Sequence, residues 1–451
     1  MIARNISEKI GLSRTALLLL EMIAVVFFIA NPFAYERMMV QPTIYAGIIG
    51  LGYGIYFLFF TQKYIFAWLS LGIAWAWFPH ASFMIALILA LYILSFVRSR
   101  NDIRHIVYIC IALVVLNLNW LIAPLFGQVS SLGSISTFSP SNFEAFRTQA
   151  LAPLDVISTN LLLYGFWGER YGNHFARIDI LSSLWYIAGY ALVFLAWLWH
   201  LLLWKYGKRR EVSIVLIVGL IALLLGIGKA SSLTAPLTDM LIAYIPLFAG
   251  YREPQKWIWL LMIVEGIGLI VSLSYFLQKY MKDRFVMISL ALATLLLLLI
   301  WSPGPFLSYH GQLRTTTYPL SYETTRSSLL AESPPPRILV LPWHLYIGCS
   351  WIARPTIGNP VWGLLAPLDV TVSDNIEVSH ILYSNSLEKR SKDIESFLSS
   401  HDEKLLQPYG YTHILVMKQC SGASDLDWLS TVPLCTHESE DEFVSLYKCH
   451  L

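Results

Sequence analysis

Nine long apolar runs govern what this chain can become. Residues 15–30, 43–60, 64–78, 81–97, 106–124, 181–204, 212–226, 257–277 and 285–301 are almost free of charge. A bilayer core accepts about 20 such residues as one helix. Helix suits it because every backbone polar group is then satisfied within the segment. Only 13% of the 451 residues are charged, against about 25% in soluble domains. The prediction is an α-helical polytopic membrane protein of about nine transmembrane helices. Pro79 breaks the third run from the fourth. The first run follows a basic start but lacks a small-x-small cleavage site, so it reads as a retained span.

Lys and Arg set the orientation, since they collect in short cytoplasmic loops. With the N-terminus inside, fourteen of them fall in the inside segments and seven in the longer outside loops. Residues 1–301 then form a transmembrane domain with external loops at 31–42, 126–180 and 227–256. Residues 302–451 follow outside. They lose the long apolar runs and predict an extracytoplasmic α/β domain with its core at about 336–451. "RILVLPW" (337–343), "THILVMK" (412–418) and "EFVSLYKC" (442–449) read as strands, and "SLEKRSKDIESFLSS" (386–400) has helical spacing.

Four of the five cysteines, Cys349, Cys420, Cys435 and Cys449, lie in this tail, where the compartment permits disulfides. Three pairings exist. The short intervening loop favours Cys420–Cys435, with Cys349–Cys449 second; free buried thiols are the alternative. A zinc site is disfavoured by the lack of a CxxC. The net charge of +2 points to no nucleic acid. No Walker motif or nucleophile triad signature appears.

Polar groups gather on the predicted external face. Glu36 and Arg37 follow the first span; Glu36 has the chemistry of a general base, or the two form an interfacial ion pair. In "GFWGERYGNHFARID" (165–179), Trp167, Glu169, His174, Arg177 and Asp179 mix aromatic and polar groups suited to a sugar or acceptor, and equally to an interfacial belt. Residues 153–167 and 237–248 are apolar but too short to span, and read as interfacial helices. At "YREPQKW" (251–257), Arg252 and Lys256 flank a helix start near Pro254, a setting for a lipid phosphate or for snorkelling anchors. Arg170 could join them. Glu21 and Glu265 lie within spans, where carboxylates invite a functional reading, with Asn117 or Asn119 as partners. Without an evident inverted repeat, a transporter or flippase is the weaker reading.

"NPFAYER", "NLNWLIAPLFG", "FEAFRT", "NLLLYGFWGER" and "YREPQKW" resemble polytopic membrane glycosyltransferases of the GT-C fold, and "RILVLPWH", "LLQPYGYTHILVMK" and "FVSLYK" resemble their extracytoplasmic C-terminal part. The similarity is scattered over most of the chain. It implies sugar transfer from a polyprenyl phosphate to a cell-envelope acceptor outside the cytoplasm, with an acidic residue of the first external loop as base. Glu36 holds that position, and Arg252, Lys256 and Arg170 would hold the donor phosphate. No cofactor is required; a divalent cation, magnesium or manganese, could use Asp179 or Glu169. The partners expected are a lipid-linked sugar and membrane lipids. The alternative is a non-catalytic envelope-assembly or partner-binding protein.

Overall fold

The structure, a computed structural model, describes residues 12–40, 42–118, 122, 140–151, 154–171, 182–205, 209–245, 248–280, 283–307, 315–352, 357–378, 381–384 and 389–450. Two units divide the chain, one taking 1–132 and 146–310, the other 133–145 and 311–451.

The first unit is helical. Helix α1 (Arg14–Ala30) starts at Ser13, whose side chain accepts from the Ala16 N–H. It ends at Asn31, whose amide donates to the Phe27 carbonyl at 2.8 Å while its oxygen accepts from the Ala34 N–H at 2.9 Å. One side chain thus closes one helix and opens the next. The chain bends by 53° there into α2 (Pro32–Val40). Helix α3 (Pro42–Ile55) runs through a π turn, and α4 (Tyr64–Trp77) and α5 (Ala81–Phe96) meet at a break around Pro79. Helix α6 (Arg100–Leu116) opens on a Ser99–Asp102 capping box. After α7 (Pro140–Ala145), part of the second unit, come α8 (Val156–Leu161), α9 (Ser182–Lys205), α10 (Arg209–Ile227), α11 (Ala235–Tyr244), α12 (Ile258–Lys279) and α13 (Arg284–Trp301).

Among the described residues, four helical segments are long and apolar enough to cross a membrane: Ser183–Leu201, Ser213–Ala230, Pro254–Lys279 and Arg284–Trp301. The bent pair of α1 and α2 makes a fifth if it is one span. Three shorter apolar helices, Ile44–Phe59, Tyr64–Trp77 and Ala81–Phe96, correspond to three more of the predicted runs. The predicted run 106–124 extends past the described residues.

Helix α12 is the axis of this unit, most of its residues buried among α1, α9 and α10. Its glycines permit that. A Cβ on Gly268 would stand 2.0 Å from the Ala196 carbonyl oxygen of α9, and one on Gly266 would meet the Phe28 ring of α1. The surrounding helices leave apolar side chains outward: Leu18, Met22, Val25 and Ile29 on α1, and Leu184, Ile187, Phe194 and Leu201 on α9 are exposed. Their spacing of three to seven residues traces one face of each helix, the face a lipid surround would cover.

The second unit carries a five-stranded sheet in the order β4 (Asp369–Thr371), β1 (Arg337–Leu341), β7 (His413–Met417), β9 (Val444–Cys449), β8 (Cys435–Glu440). The first three strands are parallel; β9 is antiparallel to β7 and to β8. Short pairs β2 (Tyr346–Ile347)–β3 (Ile357–Gly358) and β5 (Ile376–Val378)–β6 (Ile381–Ser384) complete it. Strand residues alternate between faces. Leu339, Leu341, Ile414 and Val416 pack with Ile394 and Phe397 of the helix Lys389–Ser400. Ile338, Val340, Leu415 and Met417 pack with Tyr322 and Leu329 of the helix Leu320–Leu330. Burial on both faces explains the uninterrupted apolar runs seen in the sequence.

The disulfides are Cys349–Cys420 and Cys435–Cys449, not the pairing expected from loop length. The reason is strand order. Strand β9 lies between β7 and β8, so Cys420, just past β7, and Cys435, opening β8, are kept apart. Cys435 instead faces Cys449 in the β8–β9 register, and Cys420 forms a bridge with Cys349. Two disulfides fit an oxidising, extracytoplasmic setting.

A buried charge cluster at the mouth of the axial helix

The segment 251–257 folds as a 3-10 turn (Pro254–Trp257) leading into α12, with Pro254 in its first turn, where a missing N–H costs nothing. Gly228, at φ +56°, lets Pro254 approach; a side chain there would press on the proline ring. The turn buries Glu253, Gln255 and Lys256 beside α2.

A chain of alternating charges results. Glu36 Oε1 lies 3.3 Å from Arg37 Nη2, Arg37 Nη1 lies 3.4 Å from Glu253 Oε2, and Glu253 Oε1 lies 3.5 Å from Lys256 Nζ. All four are almost fully buried. Buried ions are tolerated when paired, as Arg37, Glu253 and Lys256 are; at Glu36 burial outweighs Arg37 and pushes the carboxyl up to about 8. Arg37 also stands over the Phe33 ring at 5.3 Å.

His80, in the break between α4 and α5, joins the cluster from the other side. Its Nε2 donates to the Gly250 carbonyl at 2.9 Å and lies 3.3 Å from Lys256 Nζ. Burial, with Lys256 adding to it, lowers His80 to about 3, so the ring is neutral. Burial alone would raise Glu253; Lys256, Arg37 and Arg252 outweigh it and hold the carboxyl down at about 2. Arg252 is half-buried, its guanidinium 4.5 Å over the Phe146 ring.

The loop before α8 reaches the same place. Gln255 donates to the Phe146 carbonyl at 3.5 Å, and Phe146 packs edge-on against Trp167 at 4.8 Å. Trp167 and Glu169 lie in a 3-10 turn (Trp167–Tyr171). Glu169 accepts from the Tyr164 hydroxyl and is close enough to Glu36 for their charges to interact. Arg170 is exposed. His174, Arg177 and Asp179 lie outside the described residues. The helix expected over 153–167 is shorter, because Leu163 (φ +52°) and Gly165 (φ +123°) end it.

Of the expected site residues, Glu36, Lys256, Arg252, Trp167 and Glu169 thus adjoin one cluster. Sequence reading passed over Glu253 and His80, and took Arg37 only as an ion-pair partner. Two signals were available: Glu253 sits between Arg252 and Lys256 in the charged segment 251–257, and His80 adjoins the Pro79 break on the same predicted face as Glu36. The intramembrane Glu265 accepts from Trp197 Nε1 at 3.1 Å, whereas Asn117 donates to the Leu113 and Gly72 carbonyls. Glu21 is half-buried; Asn119 lies outside the described residues. Between α9 and α10 an open apolar groove of about 530 Å³ is lined by Leu161, Val193, Phe194, Trp197, Leu220 and Leu223 among others.

No family model matches this chain, and no curated protein does. Solved structures do. The single-particle cryo-EM structure of arabinofuranosyltransferase AftD from mycobacteria superposes with a TM-score of 0.62 at 13% identity, over 99% of this chain and 32% of that one. A mutant form of the same enzyme gives 0.58, also at 13% identity, over 98% of this chain and 33% of its own. The chain shares its fold with AftD. The GT-C resemblance read in the sequence therefore holds as a distant relationship of fold. The chain spans about a third of the length of these AftD chains.

Proposed function

We propose that this protein transfers a sugar from a polyprenyl-phosphate donor to a cell-envelope acceptor, on the extracytoplasmic face of a cell membrane that it crosses about nine times. The observation that carries this is the buried Glu36–Arg37–Glu253–Lys256 chain in a glycosyltransferase-like membrane fold. Glu36 takes the proton from an acceptor hydroxyl as that oxygen bonds the anomeric carbon. The sugar–phosphate bond breaks, and its electrons leave with the lipid phosphate. Arg37 holds Glu36 in place from 3.3 Å.

Charge developing on the leaving phosphate is the main electrostatic demand of such a reaction. Lys256 and Arg252, with Arg170, meet it. Before donor binds, Glu253 occupies both Lys256 and Arg37. An arriving phosphate competes with Glu253 for Lys256, so Glu253 acts as a stand-in anion that keeps the buried cations paired. Trp167, Glu169 and the undescribed His174, Arg177 and Asp179 serve the sugar and acceptor. The apolar groove of α9 and α10 suits the donor's hydrocarbon chain, since it is lined by apolar side chains of two candidate spans.

The test is turnover by purified protein with a panel of polyprenyl-phosphate sugars, an arabinofuranosyl donor among them. Wild type should release lipid phosphate. Glu36→Gln should lose about 10²-fold or more without loss of donor binding. Absence of turnover with every donor and acceptor offered would sink the proposal and favour a non-catalytic assembly role.

A further inference from the structure

The second unit holds a cluster that the proposed reaction does not use. His413 opens β7 and is fully buried, with Glu332 and Glu438 around it. Its Nε2 lies 3.2 Å from Glu332 Oε1 and 3.2 Å from Glu438 Oε2. The three ligand atoms lie within 4.8 Å of one another. Nε2 itself makes no hydrogen bond: both oxygens flank it, and neither takes its proton in good geometry.

We infer that Glu332, His413 and Glu438 form a site for one divalent transition-metal ion, with zinc the best match. Two donors on a tetrahedral zinc, with bonds of about 2.0–2.1 Å, stand about 3.3 Å apart. That is close to both observed separations. The donor set, one imidazole and two carboxylate oxygens, leaves a fourth position for water or for a ligand's oxygen.

The surrounding structure orients the donors. The Thr412 hydroxyl oxygen is 3.0 Å from His413 Nδ1, so an Nδ1–H donated there would present the Nε2 lone pair to an ion. Lys448, paired across β9 with His413, donates to the other oxygen of Glu332 at 3.1 Å, which leaves Oε1 for the metal. The β8–β9 register slips between His437 and Ser439. A slip of this kind re-aims the intervening side chain, and Glu438 is that residue. Both carboxylates remain partly exposed, so an ion can enter from solvent. The local charge is −2 from the carboxylates and +1 from Lys448; a divalent ion brings it to +1.

The site is checked on full-length, detergent-solubilised protein stripped with a chelator. Zinc is then titrated against a chromophoric competitor. Wild type should bind one equivalent, and Glu332→Gln and Glu438→Gln should each weaken binding about tenfold or more. His437→Asn, which removes an exposed histidine paired with Glu440 at 3.5 Å, should bind as wild type does. Zinc should raise the thermal unfolding temperature of wild type and not that of Glu438→Gln. No zinc bound by wild type, equal binding by Glu438→Gln, or loss of binding in His437→Asn would each overturn the assignment. None of these readouts depends on sugar transfer.

Discussion

At the scale of single residues, Glu253 is the member of the charge chain with the most to lose. It bridges Arg37 and Lys256. Glu253→Gln removes a carboxylate that both cations lean on and leaves them buried beside a neutral amide. Breaking one partner of a buried ion pair costs about 3–5 kcal/mol, so the unfolding temperature in detergent should drop well below wild type. Glu36→Gln touches only the end of the chain and should destabilise less, which separates a chemical role from a structural one. If the two variants melt alike, Glu253 is not the keystone of the cluster.

At the scale of elements, helix contacts and strand register decide the outcome. A Gly268→Ala change puts a methyl 2.0 Å from the Ala196 carbonyl oxygen, so α9 and α12 must part. Overpacking of this kind costs about 1–3 kcal/mol. Gly52→Ala is the matched control: nothing stands within 4 Å of its added Cβ, and a helical Gly→Ala change should be neutral or stabilising by about 0.5–1 kcal/mol. Thermal unfolding of both variants checks the pair. These elements also show what the sequence made legible. Strands β1 and β7 were readable because both faces are buried and their runs are uninterrupted. The mouth of α12 was readable because Pro254 and its flanking charges mark a helix start. The disulfide pairing was hidden, since it depends on β9 lying between β7 and β8, which loop lengths do not reveal. The contacts of His80 with Gly250 and of Glu253 with Arg37 were hidden for a related reason: those partners are 170 and 216 residues away. The slip that turns Glu438 toward His413 leaves no trace in local pattern at all.

At the scale of the whole molecule, two effects follow. The first is acid sensitivity. His80 is lowered from 6.5 to about 3 and Glu253 from 4.5 to about 2. Between each pair of values the unfolded chain holds a proton that the folded chain does not, so stability falls as pH falls. Glu36 works the other way: burial raises it from 4.5 to about 8, so between those values the folded chain holds a proton that the unfolded chain lacks, which offsets the loss at His80. Net loss should set in below about 4.5, where His80 and Glu253 act together. Replacing His80 by Asn leaves Glu36 unopposed, so stability should rise as pH falls from 6.5 to 4.5, as read from unfolding temperature against pH; a profile unchanged from wild type there would refute the role given to His80. The second concerns how a substrate gets in. The charge cluster is rooted on α12, the helix with neighbours all round it. Such a helix is a fixed post: it cannot swing without dismantling α1, α9 and α10 together. In the proposed reaction a shutter for the substrate therefore has to be hung elsewhere, on the turn Trp167–Tyr171 that carries Arg170, while Lys256 and Arg252 stay still.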